Sequence, residues 1–175
     1  MLKISALSLV VAASLLAVLT EIIPEKHLAC KWPNDILINQ RKLAGILIEN
    51  IATALEHRLV IGVGINMHLS AKQQQHWACL EKFTSIDRNT LIGQFLSVLI
   101  ENLISFPKNG FQPFCAMINN YDILVGRQIN IITPTTIFTG TATGIDDNGE
   151  LLVVDQHGQQ QRFSYGEASP RFVIN

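Results

Sequence analysis

The stretch KWPNDILINQRKLAGILIE occupies residues 31–49. Ile36, Leu37 and Ile38 make a short apolar strand, Asn39-Gln40 stands where a tight hairpin connection belongs, and residues 42–51 form the return strand. Gln40 is a poorer turn former than glycine. Pro33 fixes one backbone angle ahead of the first strand, and Asn34 and Asp35 are turn formers. A short extended run at 27–31 delivers the chain into that corner. Gly45 lowers the strand propensity of its segment, which a bulge or a close approach by a ligand would explain. If the chain reverses at 39–40, Asp35 and Lys42 lie on facing strands near the open end of the hairpin. A third strand, LVIGVGI at 59–65, carries Gly62 and Gly64, whose missing side chains leave backbone open to a flat ligand. Asn66 at its end is placed to donate to that ligand. A lysine held by an aspartate in such a cleft can balance charge on a carboxylate or a transferring phosphoryl group. The plainer alternative is a turn-capping Asp35, a solvated Lys42, and a GVG strand packed tightly under a helix.

Working outward, residues 1–19 hold one charge, Lys3, followed by ISALSLVVAASLLAVL. A basic start and an apolar run resemble the first two regions of a signal peptide. The run is short for a membrane span and lacks a clean cleavage signal before Glu21. The other reading is a buried helix with Ile4, Leu7, Val11, Leu15, Val18 and Ile22 at steps of three and four, stopped by Pro24. Beyond the third strand, residues 66–87 read as a polar, irregular loop. Asp87 or Asn89 caps a helix over 90–105, with Pro107 and Gly110 at its end. A shorter helix over 111–119 tolerates Pro113 in its first turn. The pattern changes near Tyr121: short β-rich runs follow, with turn signals at 147–149 and 156–158, so the last fifty or so residues form a small curled sheet or barrel. Such a unit is marginal alone and should lean on the larger part.

Composition narrows the function classes. The chain has 175 residues, 48% hydrophobic and 15% charged, which supplies a core and argues against disorder. Thirteen basic residues oppose fourteen acidic ones, for a formal net charge of -1. No basic block marks a nucleic-acid footprint, so no nucleic-acid partner is expected. Cys30, Cys79 and Cys115 have no disulfide or zinc spacing and read as free thiols in a reducing compartment. The five histidines have no metal-ligand spacing. The sequence holds no Walker lysine motif, no serine nucleophile elbow and no complete GxGxxG fingerprint.

KWPNDILINQRKLAGILIE, followed by VIGVGINM at 60–67, resembles the core of a biotin protein ligase. The tail, with TGTATGIDDNGELLV and then Gly166-Glu167, resembles that family's small SH3-like domain. The resemblance covers nearly the whole chain and favours the buried helix over a targeting segment. It implies an α+β fold: a mixed sheet packed by helices, as in an incomplete class II synthetase-like catalytic core over 1–122, with a small SH3-like β-barrel over 123–175.

The activity implied is ATP-dependent ligation of biotin to a lysine of a biotin carboxyl carrier domain, through biotinyl-adenylate, with Mg2+ accompanying the ATP. By the same resemblance Lys42 reaches the biotin carboxyl and the phosphate, and Asp35 positions that lysine or assists the incoming amine. Trp32 and Asn34 match residues lining the adenylate site, and Gly45 and Leu47 match the strand beside the biotin ring. Gly64 and Asn66 match positions near biotin and nucleotide. The family's glycine- and arginine-rich loop has no counterpart ahead of Lys31, and none of the six arginines lies in a glycine-rich run. The expectation is a cytoplasmic, N-terminally truncated ligase with impaired activity, no membrane contact, and a tendency to self-associate or to pair with a fragment supplying that section. The alternatives are a non-catalytic binding remnant and a lipoate-type relative, against which KWPND with RKLAGIL and a β-rich tail argues.

Overall fold

A computed structural model describes residues 4–52 and 57–170. The helical and first-sheet elements are α1 (Ile4–Ile22), β1 (Leu28–Lys31), β2 (Asp35–Ile38), β3 (Arg41–Ala52), β4 (His57–Ile65), α2 (Arg88–Asn109) and α3 (Gln112–Tyr121). The tail holds β5 (Gln128–Ile132), β6 (Ile137–Ile145), β7 (Leu151–Val154), β8 (Gln160–Phe163) and β9 (Glu167–Pro170).

The hairpin forms where its sequence indicates. Asn39 and Gln40 both take positive φ, 49° and 64°, the backbone of a two-residue turn whose twist suits antiparallel strands. The first sheet runs β1-β2-β3-β4 in sequence order, and each ladder in it is antiparallel. The expected mixed sheet is therefore corrected to an antiparallel one. Short connections between consecutive strands favour this direction, and among the described residues parallel pairing is confined to single bridges, Cys30 with Asp122 and Lys42 with Trp77.

One face of this sheet is covered by α1. The helix was expected to bury a stripe, but Leu9, Val10, Val11, Ala12, Leu15, Leu16 and Leu19 are all inaccessible to solvent. The reason is its position: it packs against α2, α3 and the strands β1 to β3 together, so an apolar residue on any side finds a partner. Each fully buried leucine contributes about 2 kcal/mol relative to exposure. Its buried hydroxyl is satisfied too: Ser14 donates to the Val10 carbonyl at 2.8 Å and accepts from Asn102 of α2 at 2.9 Å. Lys3, part of the targeting-segment reading, lies outside the described residues.

Asp87 caps α2, accepting from the backbone N–H groups of Asn89 and Thr90 and from the Thr90 hydroxyl. Pro107 does not end the helix. It lies within α2, which runs on to Asn109 and stops at Gly110 with φ 66°. α2 is the one described helix long and apolar enough to cross a membrane by length and composition; its Leu91, Phe95, Leu99 and Phe106 are buried in the core.

The tail forms a second sheet in the order β8-β7-β6-β5-β9, all antiparallel. No ladder joins β8 to β9 among the described residues, so the sheet is open and the expected SH3-like β-barrel is not formed. Closure needs the two edge strands to meet, and β8 and β9 each pair on one side only. The sheet leans on the helical part as its size requires. Asn119 of α3 donates to the Ile145 carbonyl and accepts from the Ile145 N–H, both at 2.8 Å. Gly149, at φ 76°, lies so close to α1 that a Cβ there would stand 2.9 Å from that of Ala6.

Candidate active site

The Asp35–Lys42 pair is set up by a bulge. β2 and β3 pair Ile36 with Ala44 and then Leu37 with Lys42, so β3 spends one extra residue between the two steps. In an unbroken strand Lys42 would share the face of Ala44 and Ile46, both buried under α1. The extra residue reverses the alternation and puts Lys42 on the face of Gly45 and Asp35. There its Nζ stands 2.6 Å from Asp35 Oδ1. Among the described residues that oxygen is buried and makes no hydrogen bond of good geometry, so it is the ion pair with the ammonium that offsets its charge.

Gly45 makes room for the pair. A Cβ at 45 would lie 3.0 Å from Cε and Nζ of Lys42 and 3.5 Å from Asp35 Oδ1. Gly45 faces Gly64 across the sheet, and Leu47 faces Gly62. A Cβ on Gly64 would have only the Gly45 carbonyl within 4.0 Å. The sheet therefore presents bare backbone beside a charged pair, a floor a planar ligand can lie on.

A cleft of about 460 Å³ rises from this floor. Lys42, Gly45, Gly64 and Asn66 line its sheet side, and Leu69, Gln73 and Trp77 of the loop ahead of α2 form the opposite wall. That loop is tied to the strand: the Ala78 N–H donates to the Lys42 carbonyl at 2.9 Å, and the Leu80 N–H to the Asn66 carbonyl at 2.9 Å. Trp77, 44% exposed, offers the cleft an aromatic face. Sequence reasoning passed over it; the available signal was a lone tryptophan in a polar stretch.

The sequence candidates thus divide. Lys42, Asp35, Gly45, Gly64 and Asn66 come together. Asn66 acts as a brace, its amide donating to the carbonyls of Lys42 at 3.3 Å and Ala78 at 3.1 Å, which uses both its hydrogens. Leu47, 59% exposed, and Asn34 line the adjoining groove, together with Tyr165 of the tail. Asn34 fixes β3 there, with its amide on the Ile46 carbonyl at 2.7 Å. Trp32 is withdrawn from the site: it is fully buried in the core, and its ring N–H donates to the Gly149 carbonyl at 3.3 Å.

Residues 2–66 match the Biotin/lipoate A/B protein ligase family, and residues 124–171 match the Biotin protein ligase C terminal domain. The chain belongs to the biotin protein ligase family. Among relatives of that family it is similar to the bifunctional ligase/repressor BirA of Escherichia coli, with 33% identity over 171 residues, 94% of this chain and 53% of that protein. It is 27% identical over 135 residues to the biotin–acetyl-CoA-carboxylase ligase of Mycobacterium tuberculosis, 75% of this chain and 49% of that protein. The chain thus spans about half the length of these curated ligases. Among solved structures, the biotin protein ligase of Aquifex aeolicus in complex with biotin and ATP superposes with a TM-score of 0.82 at 26% identity, over 98% of this chain and 73% of that one.

Proposed function

We propose that the chain joins biotin, through biotinyl-adenylate, to a lysine of a biotin carboxyl carrier domain of a carboxylase. The observation that carries this reading is the Lys42–Asp35 pair held beside the bare Gly45–Gly64 floor. Adenylation brings two anions together, the biotin carboxylate and the α-phosphate of ATP. The Lys42 ammonium offsets their repulsion, more strongly once the bound ligands displace water from the cleft. A carboxylate oxygen attacks the α-phosphorus and pyrophosphate leaves. The carrier lysine amine then attacks the acyl carbon, the acyl–oxygen bond breaks, and AMP departs with its charge balanced by Lys42. Asp35 holds the lysine in place and is positioned to assist the incoming amine. Gly45 and Gly64 border the biotin end, with Leu47 and Asn34 in the adjoining groove, and Asn66 and Trp77 border the nucleotide end, with the Trp77 indole as a stacking face for the base. Trp32 supports the site from the core.

Magnesium would come with the nucleotide. Among the described residues no three His, Cys, Asp or Glu side chains stand together to hold a metal, and the Asp35 oxygen nearest the cleft is paired with Lys42. The residues present do not fit a protein-held ion.

The match of the tail to a biotin-ligase domain favours biotin over lipoate. We take the chain as two units, 1–122 and 123–175, supported by two separate sheets and two separate family matches. A cytoplasmic site of action accords with three free cysteines. The 175 residues contain no arginine-bearing glycine run, so this polypeptide on its own turns over slowly. Leu47, Ile51, Leu59 and Val60 are exposed on β3 and β4, a surface suited to self-association or to a segment supplying that loop.

Biotin transfer to a carrier domain, followed by mass spectrometry with purified chain, Mg-ATP and either biotin or lipoic acid, tests the reading. Biotin-dependent mass gain, slower than that of the E. coli relative run in parallel, is expected. Lipoate transfer, or no adenylate at saturating substrates, contradicts ligation of biotin; a rate equal to the relative's contradicts the impairment.

A further inference from the structure

The loop between β4 and α2 supplies the Leu69–Gln73–Trp77 wall of the cleft, yet little apolar burial holds it. Its short turn at Gln73–Gln75 buries no residue, and although Ala78, Cys79 and Leu80 are buried and Met67, Phe83 and Ile86 pack partly against the core at its ends, no side chain from His68 to Trp77 is buried. A wall built this way must be set by polar contacts, and they converge on one carboxylate outside the cleft lining. Glu81 Oε2 lies 2.8 Å from His68 Nδ1. Glu81 Oε1 accepts from the Leu69 N–H at 3.4 Å, the Gln74 amide at 3.3 Å and the Cys79 thiol at 3.3 Å. Gln74 also donates to the Leu69 carbonyl at 2.7 Å. One side chain thus joins the start of the wall, at 68–69, to its far end, at 74 and 79. The hydrogen bond from His68, then that from Cys79, holds the Glu81 carboxyl down at about 2, so it stays an acceptor at working pH.

We propose that Glu81 is a positioning residue: by holding Leu69, Gln74 and Cys79 together it sets the loop wall and places the Trp77 ring for the nucleotide. Its negative charge stays behind the wall, occupied by donors, and does not face the phosphates. Without it the wall retains its backbone ties to Lys42 and Asn66 and the Gln74 amide on the Leu69 carbonyl, but loses the carboxylate that joins 68–69 to 74 and 79. The inference rests on the proposed nucleotide site for its functional consequence, while its structural part stands independently.

The test compares wild type, Glu81→Ala and Glu81→Gln. Trp32 is fully buried, so acrylamide quenching reports Trp77 alone. In the ligand-free protein Glu81→Ala should quench at least twofold more readily, and protease should cut residues 68–79 sooner. ATP titration should show a five- to tenfold weaker Kd, or the same rise in KM with kcat unchanged. Glu81→Gln, which keeps an acceptor oxygen, should recover most of both. Quenching and cleavage in Glu81→Ala equal to wild type overturn the inference, as does ATP affinity within twofold of wild type. If wild type binds no ATP, the nucleotide site is what falls, and the ligand-free quenching still decides the role of Glu81. If Glu81→Ala does not fold by circular dichroism, His68→Ala and Cys79→Ala decide, since each removes a donor to Glu81: looser quenching in either supports the inference, and wild-type quenching with wild-type ATP affinity in both overturns it.

Discussion

Lys42 and Asp35 are each the condition for the other's position. Replacing Lys42 by Met leaves Asp35 Oδ1 without its partner. We expect at least a hundredfold loss of biotinyl-adenylate formation, the usual scale for removing a group that stabilises developing charge. The stability loss should be only about 1 kcal/mol, because the pair is partly open to solvent; radiolabelled-ATP chromatography and thermal melts measure the two effects. Gly45→Ala tests the floor. The new Cβ meets the flexible end of Lys42 at 3.0 Å, so the fold should hold, with a change in stability below about 1 kcal/mol, while the displaced amine lowers the adenylation rate roughly tenfold. At this scale the sequence is informative where contacts are local. Asp35 and Lys42 are seven positions apart across a recognisable turn, so their meeting was legible. The withdrawal of Trp32 was not, since its partner Gly149 lies 117 positions away. Nor was the place of Trp77, which depends on a single bridge between a loop and a strand.

Elements carry information of a different kind. Apolar periodicity announced α1, but a stripe and all-round burial look alike in a sequence, and only the packing of α2, α3 and the sheet about it separates them. Leu15→Ala should cost about 2–5 kcal/mol, the range for truncating a leucine in a core that cannot collapse around the gap; chemical denaturation reads it. The bulge was foreshadowed by Gly45 but sits between Lys42 and Ala44, because register is decided by which residues must face α1. At the end of α3, Asp122 is largely buried, with Oδ1 accepting from the Leu124 N–H and Oδ2 without a partner. Burial raises its carboxyl to about 6, above its value of about 4 in the unfolded chain. The folded state therefore binds this proton more tightly. The group's contribution is fully present below about pH 4 and is lost as pH rises through 6, a change of roughly 3 kcal/mol. Asp122→Asn keeps the acceptor for Leu124 and removes the buried charge. It should raise the melting temperature at pH 7.5 and leave it nearly unchanged at pH 4.

The whole molecule depends on the seam between its two sheets. The strands of the tail were legible from alternation and from the Asp147-Asn148-Gly149 and Gln156-His157-Gly158 turns. Closure into a barrel was not, because no local pattern states whether β8 and β9 meet. The seam is held by Asn119 on Ile145 and Trp32 on Gly149. Asn119→Ala leaves the Ile145 N–H without its partner and its carbonyl with only the weak Cys115 thiol donor, and should cost about 2 kcal/mol. If the tail relies on the helical part, wild type melts in one transition and this variant separates it into two; calorimetry distinguishes them. The central claim is that the cleft between the glycine floor and the Trp77 wall makes biotinyl-adenylate with Lys42 as its essential cation. Formation of that adenylate from biotin and labelled Mg-ATP, compared between wild type and Lys42→Met, tests it most directly. The account predicts a slow but measurable product in wild type and at least a hundredfold less in the variant; equal yields, or none in either, would contradict it.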